Sequence, residues 1–256
     1  MDMTTLAGLM LITGLAAYMQ TLAGFALGLI IMGAVGLTGI LPLADAANLV
    51  SVLGIVNAVQ VLRRGWRDIA MAQFVPIVVA SLACLFVGYW LLGLMLSTSL
   101  TWLKLVLGVV IILSSLQLLM KPEPLAKLSS TASFVFFGAI AGLMSGLFST
   151  AGPPLVYHLY RQPLKPASIR ETLVAIFAIN AVIRLATVAG TGNMPSPHFW
   201  WSLLTIPVVM LFTFLAKRWP PPISPVALRR LAFVLLFLSG ASLGAPALIT
   251  LTGGLS

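Results

Sequence analysis

Charge is what this sequence has least of. Asp, Glu, Lys and Arg together make up 7% of its 256 residues, where a globular chain carries roughly 25%. The carboxylates number five: Asp2, Asp45, Asp68, Glu123 and Glu171. No two of them are spaced as an acid/base pair, which argues against hydrolytic or proton-transfer catalysis. His158 and His198, the two histidines, stand too far apart and too unsupported for a metal site. The single cysteine, Cys84, excludes an internal disulfide and any CxxC motif; in an apolar run it reads as a packed residue. No P-loop is present, so the chain does not hydrolyse ATP by that device. No metal and no cofactor are expected.

Apolar residues fill the space the charges leave. They make up 60% of the chain, and the mean hydropathy is +1.11. The apolar runs fall at about 5–41, 45–62, 69–96, 100–120, 131–160, 171–189, 199–216 and 226–250. Most are near the roughly 20 residues that cross a bilayer as a helix. They are continuous rather than alternating, which disfavours a β-barrel. The expected class is an all-α polytopic membrane protein. Its net charge of +9 sits in short clusters between apolar runs, where it orients the chain in the bilayer and does not mark a nucleic-acid partner. The first run is preceded by Asp2 and no basic cluster, and it is longer than a signal-peptide core, so it is expected to stay in the mature protein.

Charge parity gives the topology. If each run crosses once, the loop Lys and Arg residues split eight to five between the faces. If 131–160 instead enters and leaves on one side, the split becomes twelve to one, with Lys104 alone on the far face. The positive-inside rule selects the second arrangement. Loops 63–68, 121–130, 161–170 and 217–230 are then cytoplasmic, and 131–160 is a returning pair of short helices.

The chain also resembles itself. Gly24-Phe25-Ala26-Leu27-Gly28 opens one half, and Ser145-Gly146-Leu147-Phe148-Ser149-Thr150-Ala151-Gly152-Pro153-Pro154 opens the other. Asn57-Ala58-Val59 recurs as Asn180-Ala181-Val182, and Val75-Pro76-Ile77-Val78 as Ile206-Pro207-Val208-Val209. Two membrane repeats, 1–128 and 129–256, follow, each a broken hairpin plus three spans; three spans per half make the repeats inverted. Such halves are common in transporters, whose site lies where the breaks meet. By analogy, 5–41 is a hairpin too.

Candidate binding residues follow from the breaks. Helix starts at Gly24, Phe25 and Gly28, and at Ser149, Thr150 and Gly152, offer N–H groups and hydroxyls to an anion. The competing role of the glycines, at Gly24/Gly28 and at Gly138/Gly142/Gly146, is close helix packing. Asn57 and Asn180 occupy matched positions within spans, where each lines a polar cavity or ties neighbouring helices. Arg184, four residues beyond Asn180, is an intramembrane cation, either a substrate or gating contact or a residue that snorkels or pairs structurally. Glu171 and His158 flank the second hairpin; they are candidates for proton coupling or for anchoring.

These openings, with the loop Arg63-Arg64-Gly65-Trp66-Arg67-Asp68 and the run Gly142-Leu143-Met144-Ser145-Gly146-Leu147-Phe148, resemble the TauE/SafE sulfite exporter family over nearly the whole chain. The resemblance implies a bacterial inner-membrane exporter of sulfite, sulfoacetate or a related organosulfur anion. The implied partners are that small anion and the lipid bilayer, with a homodimer as a further expectation. Ala26 stands where the family commonly has another glycine, and the 149–154 run is poorer in glycine than is typical. The alternatives from other classes are a membrane scaffold, which the scarcity of extramembrane residues disfavours, and a membrane enzyme, which lacks paired ionisable groups.

Overall fold

The structure, a computed structural model, describes residues 3–119, 125–150, 152–193, 195–219 and 225–253. Among these residues all regular structure is helical. The helices are α1 (Met3–Ala23), α2 (Leu27–Thr38), α3 (Leu43–Gly65), α4 (Met71–Thr98), α5 (Leu100–Leu119), α6 (Thr131–Phe148), α7 (Pro153–Tyr160), α8 (Pro166–Gly190), α9 (Pro197–Ser202), α10 (Ile206–Arg218) and α11 (Pro225–Leu251). Among the described residues, six stretches are long and apolar enough to cross a membrane: Met3–Leu22, Leu43–Arg63, Met71–Ser97, Thr131–Phe148, Pro166–Gly190 and Pro197–Arg218. The protein is an all-α polytopic membrane protein. Its outer surface fits a bilayer, since all six tryptophans, Trp66, Trp90, Trp102, Trp200, Trp201 and Trp219, are exposed, as interfacial anchors are.

The basic loops gather at one end. The Leu125 N–H donates to the Arg161 carbonyl, and Gln162 exchanges hydrogen bonds with Ser129. Gly65 lies against Glu171, the Ala70 N–H donates to Thr172 Oγ1, and Lys217 Nζ donates to the Gln60 and Val61 carbonyls. Parts of two of these loops, 121–124 and 220–224, lie outside the described residues. At the opposite end the Ser196 N–H donates to Asp45 Oδ1, and Tyr89 meets Thr191 and Asn193.

The 131–160 segment turns back, as charge parity requires. His158 near the end of α7 reaches Ser133 near the start of α6 and stacks on Phe137. The two arms are unequal: α6 has 18 residues and α7 eight, so the first is a full span by length rather than a short helix. In the first half, α1 has 21 residues and α2 has 12, and the two pack together across the break. The 199–216 run is also not one regular helix. It divides into α9, a 3-10 turn at Leu203–Thr205, and α10. Pro207 has no N–H for the Leu203 carbonyl, which instead accepts from Ile206 in the tighter turn.

Long helices pair across the halves. α6 lies along α4 in the same direction: Gly138 meets the Ile77 backbone, Gly142 that of Ser81, and Gly146 those of Leu85 and Tyr89. α1 lies along α10, with Gly14 against Val208 and Phe212 and the Tyr18 hydroxyl on the Trp219 carbonyl. α3 and α8 run antiparallel, with Asn48 at Arg184, Ala58 and Val61 at Val174, and Gly65 at Glu171. α5 and α11 also cross antiparallel, Gly108 backbone to Gly244 backbone, with Gly240 beside Ile112.

Candidate functional site

Both helix breaks use backbone that side chains resist. Gly24 has φ +77° and Ala26 φ +110°; in the second break Ser149 has φ +56° and Gly152 φ +71°. Glycine adopts such angles freely, while alanine and serine do so at a cost. At the first break the Gln20 amide closes the turn, donating to the Gly24 carbonyl and accepting the Leu27 N–H at 3.1 Å. The next free helix-start groups are the N–H groups of Gly28 and Leu29, because the Ile30 N–H is the first to bond within the helix, to Ala26. The second break differs. Pro153 and Pro154 open α7 and carry no N–H, so this tip offers hydroxyls instead. Ser149 Oγ is hydrogen-bonded to Ser51 Oγ, and Thr150 lies beside Gly28, where a Cβ would stand 3.0 Å from that of Thr150.

The two breaks face one another. Phe25, Ala26, Leu27 and Gly28 from the first, and Ser149, Thr150, Gly152 and Pro153 from the second, line one cavity of about 40 Å³. Val50 and Gly54 of α3 and Phe177 and Ala181 of α8 close it, where those helices cross. That is space for about three waters, the size of a small oxyanion.

Of the residues singled out from the sequence, Phe25, Gly28, Ser149, Thr150 and Gly152 therefore meet at one place. Gly24 stands just outside, packed on Arg170. The asparagines are absent from the wall. Asn57 Nδ2 donates to Thr21 and Thr213 Oγ1, both at 2.9 Å. Asn180 donates to Ser145 Oγ and accepts from Ser81 Oγ. Each asparagine thus ties the long arm of the hairpin in its own half to a helix of the other half. Both ends of the Asn180 amide are engaged, while Asn57 Oδ1 is buried without a partner among the described residues; both side chains tie helices and neither lines the cavity.

Arg184 is buried and stands off the cavity. Nη1 donates to Asn48 Oδ1 at 2.7 Å, and Nε to the Gly146 carbonyl in the last turn of α6, three residues before Ser149. Nη2 has no partner among the described residues. It does not snorkel; its guanidinium is held inside. His158 is fixed between Phe134, Phe137, Ser133 and Gln162. Glu171 is buried and paired with Arg170.

Sequence reasoning missed Ser51 and Arg170; Gln20, legible as a polar residue preceding the first break, turns out to cap it. Ser51 lies in plain helical sequence with no motif around it. Arg170 was legible only as a loop charge.

Two broken helices set tip to tip inside a bundle of membrane spans define a multi-pass membrane transporter. Residues 9–243 match the family model described as sulfite exporter TauE/SafE, and the chain belongs to that family, whose members are transporters and not enzymes. It is 37% identical, over 95% of each chain, to the "Probable sulfite/organosulfonate exporter TauE" of Cupriavidus necator. It is also 33% identical, over 41% of this chain and 44% of the other, to the "Probable inner membrane transporter protein TsaS" of Comamonas testosteroni. The protein is a multi-pass inner-membrane protein. No solved structure matches.

Proposed function

We propose that this protein exports a small sulfur oxyanion or organosulfonate, with the chemistry of sulfite or sulfoacetate, by alternating access around the cavity between the two helix breaks. The observation that carries this reading is the lining itself: one break from each half, with free helix-start N–H groups on one side and hydroxyls on the other. The three sulfite oxygens, or the sulfonate end of a longer anion, are complementary to the N–H groups of Gly28 and Leu29 and to the Thr150 and Ser149 hydroxyls, the Ser149 proton turning to the anion from Ser51, whose own proton goes to the Ala47 carbonyl. The α2 dipole adds positive potential at its start, and Arg184 adds a full charge one turn of α6 away. The name of the Cupriavidus relative supports sulfur anions as the substrate class.

The halves 1–128 and 129–256 act as inverted repeats in this reading. Matched helices pack on each other antiparallel, α3 on α8 and α5 on α11, while α4 takes α6 as its partner and α10 takes α1. Each half thus holds the other's hairpin arm, and rocking of one half against the other opens the cavity alternately to the two faces. The basic end, rich in loop Lys and Arg, is cytoplasmic. Export of an anion is favoured by a negative interior at about 2.3 kcal/mol per charge per 100 mV, so uniport suffices and proton coupling through Glu171 or His158 is not required.

The test is flux from proteoliposomes across sulfite, sulfoacetate, sulfate and acetate, with and without a pH gradient. Sulfite or sulfoacetate should move in the wild type, and Ser149→Ala with Thr150→Val should cut the rate about a hundredfold, as loss of two hydrogen bonds to a charged ligand at about 1.5 kcal/mol each implies. A panel in which no anion moves would shift the reading to a membrane scaffold.

A further inference from the structure

Resting on the transport reading above, we propose that Arg170 recruits the anion at the basic end and that Glu171 acts as its built-in competitor. α8 supplies the geometry. Arg170, Phe177, Ala181 and Arg184 are separated by seven, four and three residues, spacings that keep them on one face of a helix. Phe177 and Ala181 line the cavity. One face of α8 therefore runs from Arg170 at the basic end, past the cavity, to Arg184 beyond it. At about 1.5 Å per residue, Arg170 stands roughly 10 Å from Phe177 along the helix.

Arg170 is also built into the first helix break. A Cβ on Gly24 would stand 3.1 Å from Arg170 Cγ and 3.4 Å from its Cα. Gly24 is the residue before Phe25, which lines the cavity. The Arg170 side chain is 40% exposed, and its stem touches the tip. A cation so placed attracts anions to the mouth of a low-dielectric path.

In the described conformation this guanidinium is occupied. Nε and Nη2 both donate to Glu171 Oε1, at 3.2 and 2.8 Å. The carboxylate is 4% exposed, and its Oε2 has no partner among the described residues. Gly65 makes room for it, since a Cβ there would fall 2.5 Å from Glu171 Cδ. A buried carboxylate with one oxygen unsatisfied is an unusual partner for a half-exposed arginine, because burial without full hydrogen bonding is costly. An arriving oxyanion presents two oxygens to the guanidinium fork where Glu171 presents one, and displaces Glu171 from Arg170. Glu171 thus sets how much anion is needed before the path is entered.

Concentration-dependent uptake of sulfite and sulfoacetate into everted membrane vesicles, which face the basic end outward, tests this. Arg170→Gln should raise KM about threefold with little change in maximal rate, the size expected of a half-exposed charge. Glu171→Gln should lower KM by a similar factor, and the double variant should behave as Arg170→Gln alone. Lys165→Gln, an exposed charge at the same end and off this face, should leave KM as in wild type. Glu171→Gln with wild-type melting temperature and an unchanged or raised KM would overturn the proposal. Should that variant not assemble, equal KM shifts for Arg170→Gln and Lys165→Gln would overturn it equally. Wild-type vesicles that take up neither anion would instead overturn the transport reading on which it rests.

Discussion

Ala26 is the residue at which sequence and conformation disagree most. It holds φ +110° and ψ −26° with a Cβ attached, a conformation that costs an L-residue about 1–3 kcal/mol. Hydrogen bonds on both sides hold it: the Leu27 N–H donates to Gln20 Oε1, and the Ile30 N–H donates to the Ala26 carbonyl. Ala26→Gly should therefore stabilise the folded protein by about 1 kcal/mol, read in detergent as a rise in melting temperature of about 2–4 °C. A fall would show that the alanine methyl contributes more by packing than its backbone costs. At this scale the sequence is a partial guide. Gly24, Gly28 and Gly152 announce breaks because glycine is conspicuous in apolar helices. Ser149, equally left-handed, does not announce itself, and Asn57 and Asn180 are conspicuous without lining the site. An amide in a span needs partners wherever it lies, so its presence alone cannot separate a wall from a tie.

The elements divide into those that hold and those that can move. The α4–α6 contact belongs to the first kind. Gly138, Gly142 and Gly146 fall at four-residue spacing on α6 and bring its backbone against that of α4, while Gly88 of α4 meets the Leu143 backbone in return. Small residues allow such approach in membranes, where dispersion and close packing drive association. A Cβ on Gly142 would collide with Ser81 backbone atoms, which cannot shift without moving α4. Gly142→Ala should destabilise by about 1–3 kcal/mol and reduce folded yield. Gly190→Ala, with open space around it, should be neutral. Equal yields for the two would contradict the close-packed contact. The glycine spacing was readable as a packing stripe, but its partner helix was not, because Ser81 and Gly88, the small residues of α4 that meet α6, stand seven apart and make no four-residue stripe of their own. The unequal arms of the second hairpin were likewise hidden. Total length and charge parity specify a return; they do not specify where along 131–160 the chain turns.

At the scale of the whole molecule, thirteen loop cations were enough to orient the chain, because the bilayer forbids charge elsewhere and leaves few topologies to choose among. The four basic loops do meet at one end through hydrogen bonds spanning 60–217. The meeting of the breaks was an inference from likeness between halves, and it depends on antiparallel crossing of α3 and α8, which no local motif encodes. The proposed route between the breaks requires the two tips to part. In a Cys84→Ser background, Gly28→Cys with Thr150→Cys brings two thiols to positions where the Cβ atoms are 3.0 Å apart, a few tenths of an ångström inside the usual disulfide range. Sulfite flux through this double variant in proteoliposomes, compared oxidised and reduced, is the most direct measurement of the account. Flux should stop when the tips are cross-linked and return on reduction. Undiminished flux through fully cross-linked protein would show that the anion does not pass between them.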